Sequence, residues 1–170
     1  MSANDELKGW IAGRIPKDWY ISAPEVRADR DEIWVIGTLS EPQLPGDAGP
    51  EAANAARSGR IKQFREDTRE LRMQISEEAE RRFGRTTSWG ARCGDAREMF
   101  THLAVPAMTR LRLPEREVLD ALVDSGVARS RAHALAWCVK LVQTKQGEWL
   151  EELKAAVEQV GAVRQQGPLN

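Results

Sequence analysis

"MTRLRLPEREVLDALVDSGVARSRAHALAW", residues 108–137, opens on alternating arginine and leucine and runs into two short helical patterns. In Met108–Pro114 the period is two. Thr109, Leu111 and Leu113 point one way, and Met108, Arg110 and Arg112 point the other. Pro114 ends such a strand and suits the first turn of a helix. Val118, Leu119, Leu122 and Val123 then form an apolar stripe, and Gly126 is a stop signal. Ser130 is a good N-cap for a second helix, in which Leu135, Cys138, Val139 and Val142 are expected to face inward. A single strand of about six residues is not stable alone. The simplest partner is the same strand from a second copy across a two-fold axis.

The order strand, helix, helix resembles the ribbon-helix-helix family, the MetJ/Arc class of dimeric DNA-binding proteins. The resemblance rests on Arg110-Leu111-Arg112-Leu113-Pro114, Val118–Leu122, Gly126, and Arg129-Ser130-Arg131 followed by Ala134-Leu135. It covers residues 107–142 only. It implies a homodimer whose paired antiparallel strands enter the major groove of DNA. Met108, Arg110 and Arg112 would then contact base edges, arginine being suited to guanine O6 and N7. Ser130 and Arg131, with Arg129 beside them, would grip a backbone phosphate at the start of the second helix. Two features depart from the family. Ala132 and His133 follow the cap where a Ser-Glu pair is usual, and the module lies more than a hundred residues into the chain.

The remaining sequence is less specific. The chain has 170 residues, 41% hydrophobic and 30% charged, which fits a folded, charge-rich protein. Its net charge of −1 advertises no global nucleic-acid field, so DNA contact would be a local patch. Residues 1–50 hold 5 basic and 9 acidic side chains, so the acidic excess lies there. Residues 19–39 are expected to be β-structure, EVRAD and DEIWVIGTL pairing as a hairpin around Asp29-Arg30-Asp31, with Ile33, Val35 and Gly37 on one face and Trp34, Ile36 and Thr38 on the other. A Pro- and Gly-rich loop at 40–50 leads to one long helix over 50–83, with Ile61, Phe64, Thr68, Leu71, Ile75, Ala79 and Phe83 as its apolar stripe. Thr86–Gly94 is expected as a third strand, followed by a connector at 95–107 with a helical turn near Met99. A last helix over 147–165 carries Trp149, Leu153, Val157 and Val160, and Gln165–Asn170 should fray.

The expected fold class is therefore α+β: an N-terminal unit of hairpin, long helix and strand at 1–100, the ribbon-helix-helix-like module at 107–142, and a C-terminal helix. No phosphate-loop, dinucleotide, zinc-protease or nucleophile-elbow motif occurs, so neither an enzyme nor a cofactor is expected. Glu77, Glu78 and Glu80 are expected as a solvated helix face, and His102 and His133 have no triad partners around them. Cys93 and Cys138 suggest neither a disulfide framework nor a zinc site. No leader or membrane span is apparent, which makes a cytoplasmic protein the expectation. Two functions compete. One is a DNA-binding regulator, with residues 1–100 serving oligomerisation, effector sensing or a protein partner. The other is an interaction protein that uses the same dimer without DNA. A third, RNA contact through Arg57, Arg60, Lys62, Arg65 and Arg69, is discounted because these do not all share one helix face.

Overall fold

The computed structural model describes residues 3–46 and 49–166. It divides into two units, Met1–Pro106 and Ala107–Asn170. The first unit is mixed α and β: α1 (Ala3–Arg14), β1 (Glu25–Ala28), β2 (Glu32–Thr38), α2 (Pro50–Asp67), α3 (Arg69–Phe83), β3 (Thr86–Cys93) and β4 (Ala96–Met99). The strands form one sheet in the order β1-β2-β3-β4.

The hairpin forms as the sequence suggests, β1 pairing antiparallel with β2, but the β-structure begins at Glu25 and residues 19–24 are not strand. Asp29 accepts from the amides of Asp31 and Glu32, at 2.9 and 2.8 Å, and so closes the turn. These two bonds hold its carboxyl below the ordinary value. β3 then pairs parallel to β2, Ile33 beside Thr87 and Val35 beside Trp89. A parallel neighbour requires a crossover, and α2 and α3 supply it.

The crossover corrects one expectation. It is two helices, broken at Thr68, rather than one over 50–83. Thr68 Oγ1 donates to the Phe64 carbonyl at 2.6 Å, a bond that competes with the helix ladder. Arg72 then seals the break: Nε donates to Thr68 Oγ1 at 3.0 Å, and Nη2 donates to the Arg65 carbonyl at 2.6 Å. The apolar stripe survives the break. Ile61, Phe64, Thr68, Ile75 and Ala79 are buried, while Leu71 and Phe83 are half-buried. Gly84 ends α3 in the left-handed region with φ 65°.

All three helices of this unit lie against one face of the sheet. Leu7, Ile11 and Ile15, from α1 and the residue after it, join Ile33, Val35, Ile75, Ala79 and Trp89 in one core cluster. Ile61 and Phe64 of α2 meet Leu39, Ala91 and Cys93 in a second. Tyr20 and Trp19 pack against both. The opposite face carries Ile36, buried, and Trp34, half-buried, with Glu25 and Arg92 paired at 2.8 Å. Met99 covers Gly90 there, its sulfur 2.6 Å from where a Cβ would stand.

Two further elements depart from expectation. α1 was not foreseen. It is joined to α3 by Arg14, which binds Glu78 through two bonds of 2.6 and 2.8 Å, and by Arg82 with Glu6 at 2.8 Å. Glu78 is thus an ion-pair partner within an otherwise solvated acidic face. The region near Met99 is strand β4, antiparallel to β3, instead of a helical turn.

The second unit holds α4 (Leu113–Asp124), α5 (Arg131–Lys145) and α6 (Gly147–Gln166). Gln165 and Gln166 close α6, while the rest of the tail expected to fray, Gly167–Asn170, lies outside the described residues. No helix among the described residues is long and apolar enough to cross a membrane. The described residues contain no cluster of His, Cys, Asp or Glu able to hold a metal ion.

Candidate nucleic-acid interface

Residues 107–112 are neither helical nor paired within the chain. Met108 is 98% exposed, and the Arg110 and Arg112 side chains are exposed as well. Arg112 has extended backbone, φ −81° and ψ 175°, and is the N-cap of α4. Leu113, expected as the last strand residue, is instead the first residue of that helix and is exposed. Pro114 falls in the first turn, where its missing N–H leaves nothing unsatisfied. Arg116 anchors the end of the segment, its side chain donating to the Leu111 carbonyl at 2.8 Å and its amide to the Arg112 carbonyl at 3.1 Å. Leu111 is correspondingly half-buried.

The segment borders a hollow of about 360 Å³, lined by Ala107, Met108, Leu111, Leu119, Arg131 and Leu135 among others. Beneath it α4 and α5 share a small core of Leu119, Ala128 and Ala134, with Leu111, Leu122, Val123, Leu135 and Cys138 packed around it. α4 ends as foreseen, with Gly126 in the left-handed region at φ 78°. Ser130 caps α5, its hydroxyl accepting from the His133 amide at 3.2 Å. His133 is an exposed residue whose Nδ1 accepts from the Arg129 amide at 3.3 Å.

The residues proposed for phosphate contact sit together at this helix start, but they are not equivalent. Arg129 and Ser130 are exposed. Arg131 is engaged: its guanidinium makes two bonds of 2.6 Å to the Asp120 carboxylate. The hydrogen bond from Arg131 holds the Asp120 carboxyl below its ordinary value. Nothing in the sequence pointed to Asp120. The signal was an acid on α4 eleven positions before a base on α5, visible only once the two helices pack.

The inward face of α5 is narrower than expected. Leu135 and Cys138 are half-buried, whereas Val139 is 64% and Val142 48% exposed. Val118 on α4 and the stripe Trp149, Leu153, Val157 and Val160 on α6 are also exposed. The small core between α4 and α5 leaves these side chains uncovered among the described residues.

Comparison with known proteins covers both units. The family described as "Rv1265-like protein, N-terminal domain" matches residues 5–99, and the one described as "Mb1296 C-terminal domain" matches residues 112–164. Similar proteins include Mb1296 of Mycobacterium bovis and Rv1265 and MT1303 of Mycobacterium tuberculosis. Each is 54% identical over 160 residues, which is 94% of this chain and 69% of the relative. No solved structure matches the chain.

Proposed function

The chain belongs to the Rv1265-like family, and we propose that it is a homodimeric DNA-binding protein, a transcriptional regulator reading the major groove with a ribbon formed between two copies. One observation carries the reading. An unpaired, largely exposed segment, extended at Arg112, leads directly into α4, a left-handed glycine and a serine-capped α5. A second copy would complete a two-stranded ribbon and cover the apolar residues that one copy leaves open. Met108, Arg110 and Arg112 are the base-reading side chains, and Arg129, Ser130 and Arg131 flank the phosphate.

The test combines mass and binding. Light scattering is expected to give a dimer. A duplex enriched from a random-sequence pool is expected to bind with a steep salt dependence. Arg110→Ala and Arg112→Ala should each weaken that duplex by roughly 5- to 150-fold, from about 1–3 kcal/mol per bidentate contact. A monomer, or unchanged binding in both variants, defeats the reading. The Arg131–Asp120 pair favours a second reading, in which the dimer serves protein assembly alone. That reading predicts a dimer that retains no duplex even at low salt.

A further inference from the structure

The discounted basic residues of α2 and α3 are not one group. Arg57 turns away and pairs with Glu41 at 2.9 Å and Asp95 at 3.6 Å. Lys62, Arg65, Arg69 and Arg72 follow at steps of three and four, and the break at Thr68 carries the series from α2 into α3. All four line one cavity of about 720 Å³, together with Ser58, Gly59, Glu98 and Phe100.

Arg72 is the notable member. It is only 7% exposed, yet among the described residues no carboxylate lies within ion-pair distance of it. Its hydrogen-bond partners are a hydroxyl and a carbonyl, and its guanidinium lies 4.9 Å from the Phe100 ring centroid. Burial pushes its pKa down, and Arg65 and Arg69 add repulsion. A buried cation without a counter-charge is costly. Arg65 meets Glu98 only at 3.5 Å, and neither Lys62 nor Arg69 has an ion-pair partner among the described residues. The cavity therefore gathers four cations against the two carboxylates of Glu66 and Glu98.

We propose that this cavity binds a small molecule carrying two or more phosphoryl groups, with Arg72 as its recessed anchor and Lys62, Arg65 and Arg69 at its mouth. The volume falls in the range of small-ligand sites, roughly 300–1,000 Å³. Arginine forks suit phosphoryl oxygens, and Arg72 is already oriented by the helix break. A small ligand fits better than a nucleic-acid backbone, because Arg72 is recessed below the surface that a duplex would meet. The proposal lies wholly within the first unit and does not depend on the ribbon.

The experiment is calorimetric titration of the full chain with inorganic tripolyphosphate at constant ionic strength. One saturable site per chain is expected. Arg69→Ala should weaken it roughly tenfold, as for a lost charge-assisted bond, and Lys62→Ala with Arg69→Ala more. Both residues are exposed, so circular dichroism should show an unchanged fold. Arg57→Ala, basic but outside the cavity, should bind as the wild type does. Absence of saturable binding, or equal losses in the Arg57 and Arg69 variants, overturns the proposal. So does displacement of tripolyphosphate by duplex DNA with loss of DNA binding in the same two variants, which would make this a nucleic-acid surface.

Discussion

Gly37→Ala should unfold the first unit far more easily than a single methyl group suggests. A Cβ built on Gly37 would stand 2.0, 2.1 and 2.2 Å from three atoms of the Tyr20 ring. The ring must retreat by more than an ångström, and it has little room. Trp19 lies 6.1 Å and Phe64 5.4 Å from it, centroid to centroid. If the ring stays and strains its neighbours, overpacking costs about 1–3 kcal/mol. If it leaves, roughly 150 Å² of aromatic surface is lost at about 25 cal/mol per Å², or about 4 kcal/mol. The expectation is therefore about 1–4 kcal/mol. At about 4–8 °C per kcal/mol for a unit of this size, that is a drop in Tm of roughly 4–30 °C. Urea and thermal unfolding, followed by tryptophan fluorescence with Trp137 and Trp149 replaced by Phe, would report on the first unit alone. The decisive measurement is the same substitution in a Tyr20→Ala background. There the clash is gone, and alanine in a strand should be neutral or better than glycine by about 0.5–1 kcal/mol. An equal cost in both backgrounds would show that the contact with Tyr20 is not why position 37 is glycine.

Three further outcomes follow from named contacts. The buried Tyr20 hydroxyl has no hydrogen-bond partner among the described residues, so Tyr20→Phe should be neutral or stabilise by about 1 kcal/mol in urea unfolding. Burial raises the Tyr20 pKa above 10.0, so its contribution is present below pH ~10 and lost as pH rises beyond it; this alkaline loss should be smaller in Tyr20→Phe. Ser130→Ala removes the hydroxyl that caps α5 and should cost about 0.5–2 kcal/mol, seen as a lower urea midpoint of the second unit. Asp120→Asn weakens the hold on Arg131; on the DNA reading, affinity should rise and the salt slope should steepen by about 0.9, whereas the assembly reading predicts no change in DNA retention.

Much of the first unit was legible because each element carried its own period. Ile33, Val35 and Gly37 alternate, and the stripe from Ile61 to Phe83 keeps helical spacing through the break. The break itself was hidden: Thr68 falls on the apolar stripe, and only its hydroxyl and the reach of Arg72 show why the ladder stops there. α1 was not legible although Leu7, Ile11 and Ile15 recur every four residues, because three apolar positions among Gly9, Gly13 and many polar residues make a weak stripe, and its helix is held by contacts with the sheet and α3. β4 has four residues, AREM, too few for a pattern, and its form is imposed by β3. The candidate interface was legible as a sequence of elements, with the cap at Ser130 and the turn at Gly126 in place. The pairing of Arg131 with Asp120 and the gathering of Lys62 to Arg72 were not, since both depend on how helices meet.

The order of the strands has a consequence during synthesis. β2 is central, but its parallel partner β3 begins at Thr86, 48 residues after Thr38 closes β2. At about 5–20 residues per second, the ribosome needs roughly 2–10 seconds to make that interval. Throughout it, the apolar run Ile33–Thr38 has one edge satisfied by β1 and the other bare. Such an edge is a template for intermolecular pairing. Slow translation across α2 and α3 would lengthen that window, and a nascent chain stalled there is the form most prone to aggregate.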